Sequence, residues 1–242
     1  MMDLTRLESL EAFASVHGYR NLTKLVLFYK QKMTETEYPS ADALRLCHGL
    51  SVCRLLIDLA IEAPDDVADM CLTSALFRGI SLMGLEDSEE VQALQLSDSI
   101  QKLNAFTRMI GQGNEKEKEI FYAMVQEDKP ALMVTLADRA TFLTKLHELP
   151  LEESRRHVRE TRQYFFSMCV YAIEQYPDLA PKINILRRKI KGLCEVYDIL
   201  TDRFKAREQE LSIEILRVQE ENAGLRARIA AMREIQNTDS PA

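Results

Sequence analysis

Apolar residues in this chain recur every three or four positions, and no convincing alternating run competes with them. That spacing places one face of a helix against a core and gives a strand no consistent face. Leu46, Leu50, Cys53, Ile57 and Ala60 form one such row. Asn-Gly and Asp-Gly hairpin turns are absent, and only 8 Gly and 7 Pro interrupt the pattern. Pro39, Pro64, Pro130, Pro150, Pro177 and Pro181 fall at or beside plausible helix starts and connections, where a missing N–H costs little. The spacing predicts an all-α fold with helices at about 4–16, 21–37, 41–61, 65–80, 99–110, 115–127, 130–148, 151–175 and 182–236. The glycines of GQGN, 111–114, lack the length and the Lys-Ser/Thr of a phosphate-binding loop and read as a flexible connection.

The last of these helices changes character. From Leu211 a heptad can be written with Leu211 at d, Ile215 at a, Val218 at d, Asn222 at a, Leu225 at d, Ile229 at a and Met232 at d. The four-three spacing holds while EENAGLRAR beside it stays polar, which is the seam of a coiled coil. Upstream, Glu208 takes a and Phe204 takes d, so the seam weakens toward the domain. The alternative is a solvated helix packed back on its own domain. An amide at Asn222 favours a parallel two-stranded seam, because it can bond its symmetry mate. Glu221 at g would meet Arg226 at e of the other chain, whereas Arg228 at g would face Arg233. The expected organisation is a helical domain over 1–180 and a long C-terminal helix over 181–242, with the coiled coil at about 204–236 and a frayed tail.

Charge and composition narrow the partners. A net charge of −7 leaves no global basic field to favour nucleic acid or an anionic membrane. No apolar stretch reaches membrane-spanning length, and MMDLTRLESLEAF has acidic residues where a signal peptide needs a basic and then an apolar run. The five cysteines, Cys47, Cys53, Cys71, Cys169 and Cys194, form no CxxC and lie in apolar segments. They read as small core residues of a cytoplasmic protein.

Within VTLADRATFL, 134–143, an Asp138-Arg139 pair interrupts what otherwise looks like a buried helix. A buried carboxylate needs a partner or a metal, because desolvating it costs several kcal/mol, roughly. His48, in LRLCHGLSVCRLL, sits on another apolar helix. Imidazole and carboxylate together suit a divalent ion, although a lone helical His is more often a hydrogen-bonded core or surface residue. His17, His147 and His157 lie in polar surroundings without HxxxH or HxH spacing and read as solvent-facing.

The stretch AMVQEDKPALMVTLADRATFLTKL, followed by RRHVRETRQYFFSM, resembles the hydrolase domain of the RelA/SpoT family, the enzymes that make and degrade (p)ppGpp. HGLSVCRLLIDLAIEA is similar to the family segment that supplies its first metal-binding His, and LQLSDSIQKLNAF to a later family segment. The resemblance runs in order over 40–180. It implies an HD-type helical fold and a Mn²⁺ site built from one His, an adjacent His-Asp pair and the Asp of LADR, with a Glu-Asp pair assisting the attacking water. Carried over residue by residue, His48 and Asp138 match. Phe77-Arg78 stands where the His-Asp pair should be, Ser81-Leu82 where the Glu-Asp should follow, and Phe142 where the family has Asn.

One imidazole and one carboxylate rarely hold a divalent ion, and without it no water is activated at neutral pH. A heptad helix also follows where the family's synthetase part should begin. The resemblance therefore implies a pseudoenzyme: a regulatory or scaffolding module with no catalytic residues and no cofactor, dimerised through its C-terminal helix or bound there to a helical protein. Two alternatives stand beside it. One is a divergent Mn²⁺-dependent (p)ppGpp or nucleotide phosphohydrolase using Glu86, Asp87 or Asp98. The other is a non-catalytic nucleotide sensor in which Arg45, Arg54 or Arg139 meets phosphates. If Arg78 replaces the ion's charge, it should pair with Asp138 beside His48 and Phe77. Otherwise Arg139 would satisfy Asp138 locally.

Overall fold

The computed structural model describes residues 4–35, 40–59, 65–109 and 113–238, with the side chains of 4, 65, 66, 107, 108 and 231–238 outside that description. Among the described residues there is no strand, and the chain is all-α. The helices are α1 (Leu4–His17), α2 (Arg20–Glu35), α3 (Ala41–Asp58), α4 (Asp65–Met83), α5 (Glu89–Gln92), α6 (Asp98–Met109), α7 (Glu115–Gln126), α8 (Lys129–Leu143), α9 (Leu151–Glu160), α10 (Phe166–Gln175) and α11 (Ala180–Thr238). No described helix is long and apolar enough to cross a membrane.

Several boundaries differ from the sequence reading for local reasons. The helix expected over 130–148 ends at Leu143, and a separate 3₁₀ turn, Leu146–Glu148, follows. The helix expected over 151–175 is interrupted by a π-turn, Thr161–Phe165, between α9 and α10. Four-residue α5, capped by Ser88, is too short for periodicity to reveal. Gly113 has φ +82, and Asn114 caps α7 in a reciprocal box with Glu117. The end of GQGN is thus a helix cap; its first two residues, like Pro39 and Pro64, lie outside the described residues.

The chain divides into two compact units, residues 1–194 and 195–242. The sequence reading drew the division at 180/181. The first unit runs further because Ile183, Leu186, Ile190 and Cys194, on the first turns of α11, are buried. In this unit α4 packs against α2, α3, α6 and α8, and α8 also meets α3 and α7. From Ala131 to Thr141 every residue of α8 is buried, which makes it the central helix. Asp128 caps its N-terminus by accepting from the Ala131 amide at 2.8 Å, and Pro130 stands in the first turn. The second unit is the remainder of α11, and from Asp202 to Ala230 every side chain is exposed.

Candidate functional site

The site begins with two glycines. Gly49 on α3 and Gly79 on α4 let the two backbones touch. A Cβ on Gly49 would lie 2.6 Å from the Leu76 carbonyl and 2.7 Å from the Gly79 nitrogen, and one on Gly79 would lie 2.8 Å from the Arg45 carbonyl. Tyr29 of α2 seals this crossing, its hydroxyl donating to the Leu76 carbonyl. The residue before each glycine, His48 and Arg78, reaches Asp138 on α8. His48 Nε2 is 2.9 Å and Arg78 Nε 3.1 Å from the same carboxylate oxygen, Oδ1. His48, Arg78 and Asp138 are 6%, 8% and 3% exposed, so the contact is sealed from water.

Burial alone would push the Asp138 carboxyl up. The Arg78 guanidinium and the His48 imidazole outweigh it and hold the group well below the usual carboxylate range. Asp138 is therefore an anion at neutral pH, with Arg78 as its cation. Of the two partners open to Asp138 in the sequence, Arg78 is the one that reaches it. Phe77, next to Arg78, is also buried. Leu82 lies at the surface and Ser81 is half-buried, and neither supplies an acid to the site.

Arg139 does not answer Asp138. Its Nη2 donates to Glu160 Oε1 at 2.6 Å, in a second buried network. Glu160 also accepts from Tyr122 at 2.8 Å and from Lys118 at 2.9 Å. Burial opposes ionisation of Glu160, but Arg139 and then Lys118 bring its pKa down to about 2. The Arg139 guanidinium stacks 4.3 Å from the Phe165 ring centroid, on the π-turn that directly follows Glu160. Phe142 joins this second network, its ring 4.7 Å from that of His157. His157 is half-buried rather than solvent-facing, and burial followed by the Arg139 charge lowers its pKa. The polar neighbours Arg155 and Arg156 misled the sequence reading there. His17 and His147 are exposed.

The remaining candidates scatter. Arg45 is exposed and bonds Asp42 at 2.8 Å, Arg54 is exposed, and Asp98 lies in the first turn of α6. Glu86 and Asp87 lie in the segment between α4 and α5. Cys53, Cys71, Cys169 and Cys194 are buried and Cys47 is half-buried; burial pushes the Cys53, Cys71 and Cys169 thiols up to about 12.

The donor set at Asp138 does not fit a divalent ion. The carboxylate oxygen that faces His48 is also held by a guanidinium, which repels a dication and offers it no lone pair. Among the described residues, no group of three or more His, Cys, Asp and Glu side chains is placed to hold a metal. The sequence reading missed the glycine crossing and the Glu160 network. The Gly49 and Gly79 neighbours of His48 and Arg78 carried a signal for the first, since a helical glycine inside an apolar row often marks a close approach. No protein-family model matches this chain, and no solved structure matches it.

Proposed function

We propose that this chain is a catalytically inactive relative of the RelA/SpoT-type HD hydrolase domain. It acts as a regulatory or scaffolding module connected to (p)ppGpp signalling in the cytoplasm. It assembles through its C-terminal helix, with a second copy or with a helical protein partner. The observation that supports inactivity is the buried contact of Arg78 Nε with Asp138 Oδ1 at 3.1 Å. In an HD-type site the LADR carboxylate faces a dication that lowers the pKa of a bound water. A guanidinium supplies positive charge but no hydroxide, and it engages the lone pairs a metal would need. The connection to (p)ppGpp rests on the resemblance over 40–180, and a nucleotide remains a ligand to be tried.

The test is incubation of the purified full chain with ppGpp and Mn²⁺, followed for pyrophosphate release, with metal analysis of the same preparation. The expected results are no release above background and far less than one metal per chain. Turnover that disappears in His48→Ala or Asp138→Ala would overturn the inactive reading. Thermal stabilisation by ppGpp without turnover would make the module a nucleotide sensor.

A further inference from the structure

The exposed stripe of α11 fits one occupant, and naming it deepens the assembly part of the proposed function. Phe204, Leu211, Ile215, Val218, Leu225 and Ile229 are each at least 42% exposed. They occupy a and d positions of one unbroken helix. From Phe204 to Ile229 that stripe is about 38 Å long at 1.5 Å per residue. A single helix leaves it all in water, whereas a facing helix buries it.

Two polar residues stand in the same stripe, and they discriminate between partners. Glu208 and Asn222 are both at a, two heptads apart. When a second copy lies parallel and in register, a meets a: the two Asn222 amides bond each other, while the two Glu208 carboxylates face each other and weaken that end of the seam, each lying beside Arg207, at g, of the other copy. Glu221 at g then meets Arg226 at e of the second copy. A slip of one heptad would set Asn222 against Ile215 or Ile229. An antiparallel partner would set it against a d residue, all of which are apolar between Phe204 and Leu225. Either arrangement buries an amide without a partner, at about 1–3 kcal/mol. An unrelated helix would need matching polar residues at the same 14-residue interval. We infer that residues 204–230 of α11 form a parallel, in-register, two-stranded coiled coil with a second copy of this chain, its register set by the Asn222 layer and the Glu221–Arg226 pairs.

Cysteine trapping in the full chain tests this. In a parallel in-register pair, d residues face each other within disulfide reach. Val218→Cys, an exposed position whose substitution leaves the first unit's core intact, should give nearly complete covalent dimer on oxidation. Glu220→Cys, at the outward f position, and the parent chain should give little. The parent should sediment as a dimer, and Asn222→Leu should remain associated but become a mixture of dimers and larger species. A parent chain that is monomeric at about 100 µM, or a trimer, overturns the inference. So does a dimer in which Val218→Cys fails to cross-link. None of these outcomes touches the hydrolysis assay, so failure of the pairing and failure of the inactive reading are separately visible.

Discussion

Arg78→Ala strips Asp138 of its cation and leaves an anion 3% exposed beside the His48 imidazole. Removing one member of a buried ion pair costs about 3–5 kcal/mol, because the survivor keeps its desolvation penalty. Against a total stability of about 5–15 kcal/mol for a domain, the variant should lose about a fifth or more of it. Asp138→Leu alone should also destabilise the chain, because it removes the carboxylate oxygen that His48 Nε2 and Arg78 Nε share. Arg78→Met with Asp138→Leu removes both charges at similar volume and should be far less destabilised than the sum of the two, giving a coupling of about 2 kcal/mol or more. The pH dependence has a fixed sign. The folded pKa of Asp138 is depressed, so the pair stabilises above the unfolded value of about 3.9, and that contribution is lost as pH falls below it. The gap between parent and Arg78→Ala should therefore be full at pH 7 and shrink below about pH 4. Urea titration at fixed protein concentration, followed by helical circular dichroism, reads all of this. Arg78→Ala within about 0.5 kcal/mol of the parent, or an additive double variant, would refute the argument that a guanidinium balances this carboxylate.

Two further perturbations probe what holds the site. Gly79→Ala places a Cβ 2.8 Å from the Arg45 carbonyl and 3.1 Å from Leu46 Cα, both backbone atoms that cannot yield cheaply. It should cost about 1–3 kcal/mol or more in a urea titration, whereas Gly192→Ala on α11, where a Cβ meets nothing within 4 Å, should be neutral or slightly stabilising. Glu160→Gln removes the anion that Arg139 and Lys118 hold at a pKa of about 2. Because that pKa is depressed, the parent should lose this share of stability as pH falls from the unfolded value of about 4.3 toward 2, while the variant should show a shallower acid slope. Parallel acid slopes for the two chains would sink that account.

Helix type and placement could be read from the sequence because they are local properties. A row such as Leu46, Leu50, Cys53 and Ile57 has one consistent solution, and Pro130 marks the first turn of α8 whatever packs around it. The need for a partner at Asp138 was also legible, since a carboxylate inside an apolar run is costly in any fold. Which partner it found was not. Arg78 and Arg139 were equally available by charge, and only the crossing of α3 over α4 at Gly49 and Gly79 delivered Arg78 to Asp138. Arg139, one residue along the same helix, points about 100° away and meets Glu160, which lies 21 residues further along the chain. His157 was misjudged for the same reason: its neighbours in sequence are charged, whereas its neighbour in space is the Phe142 ring. Periodicity fixes which face of a helix turns inward, but a contact between two helices depends on how closely their backbones approach, and that distance is settled only when all the helices pack at once.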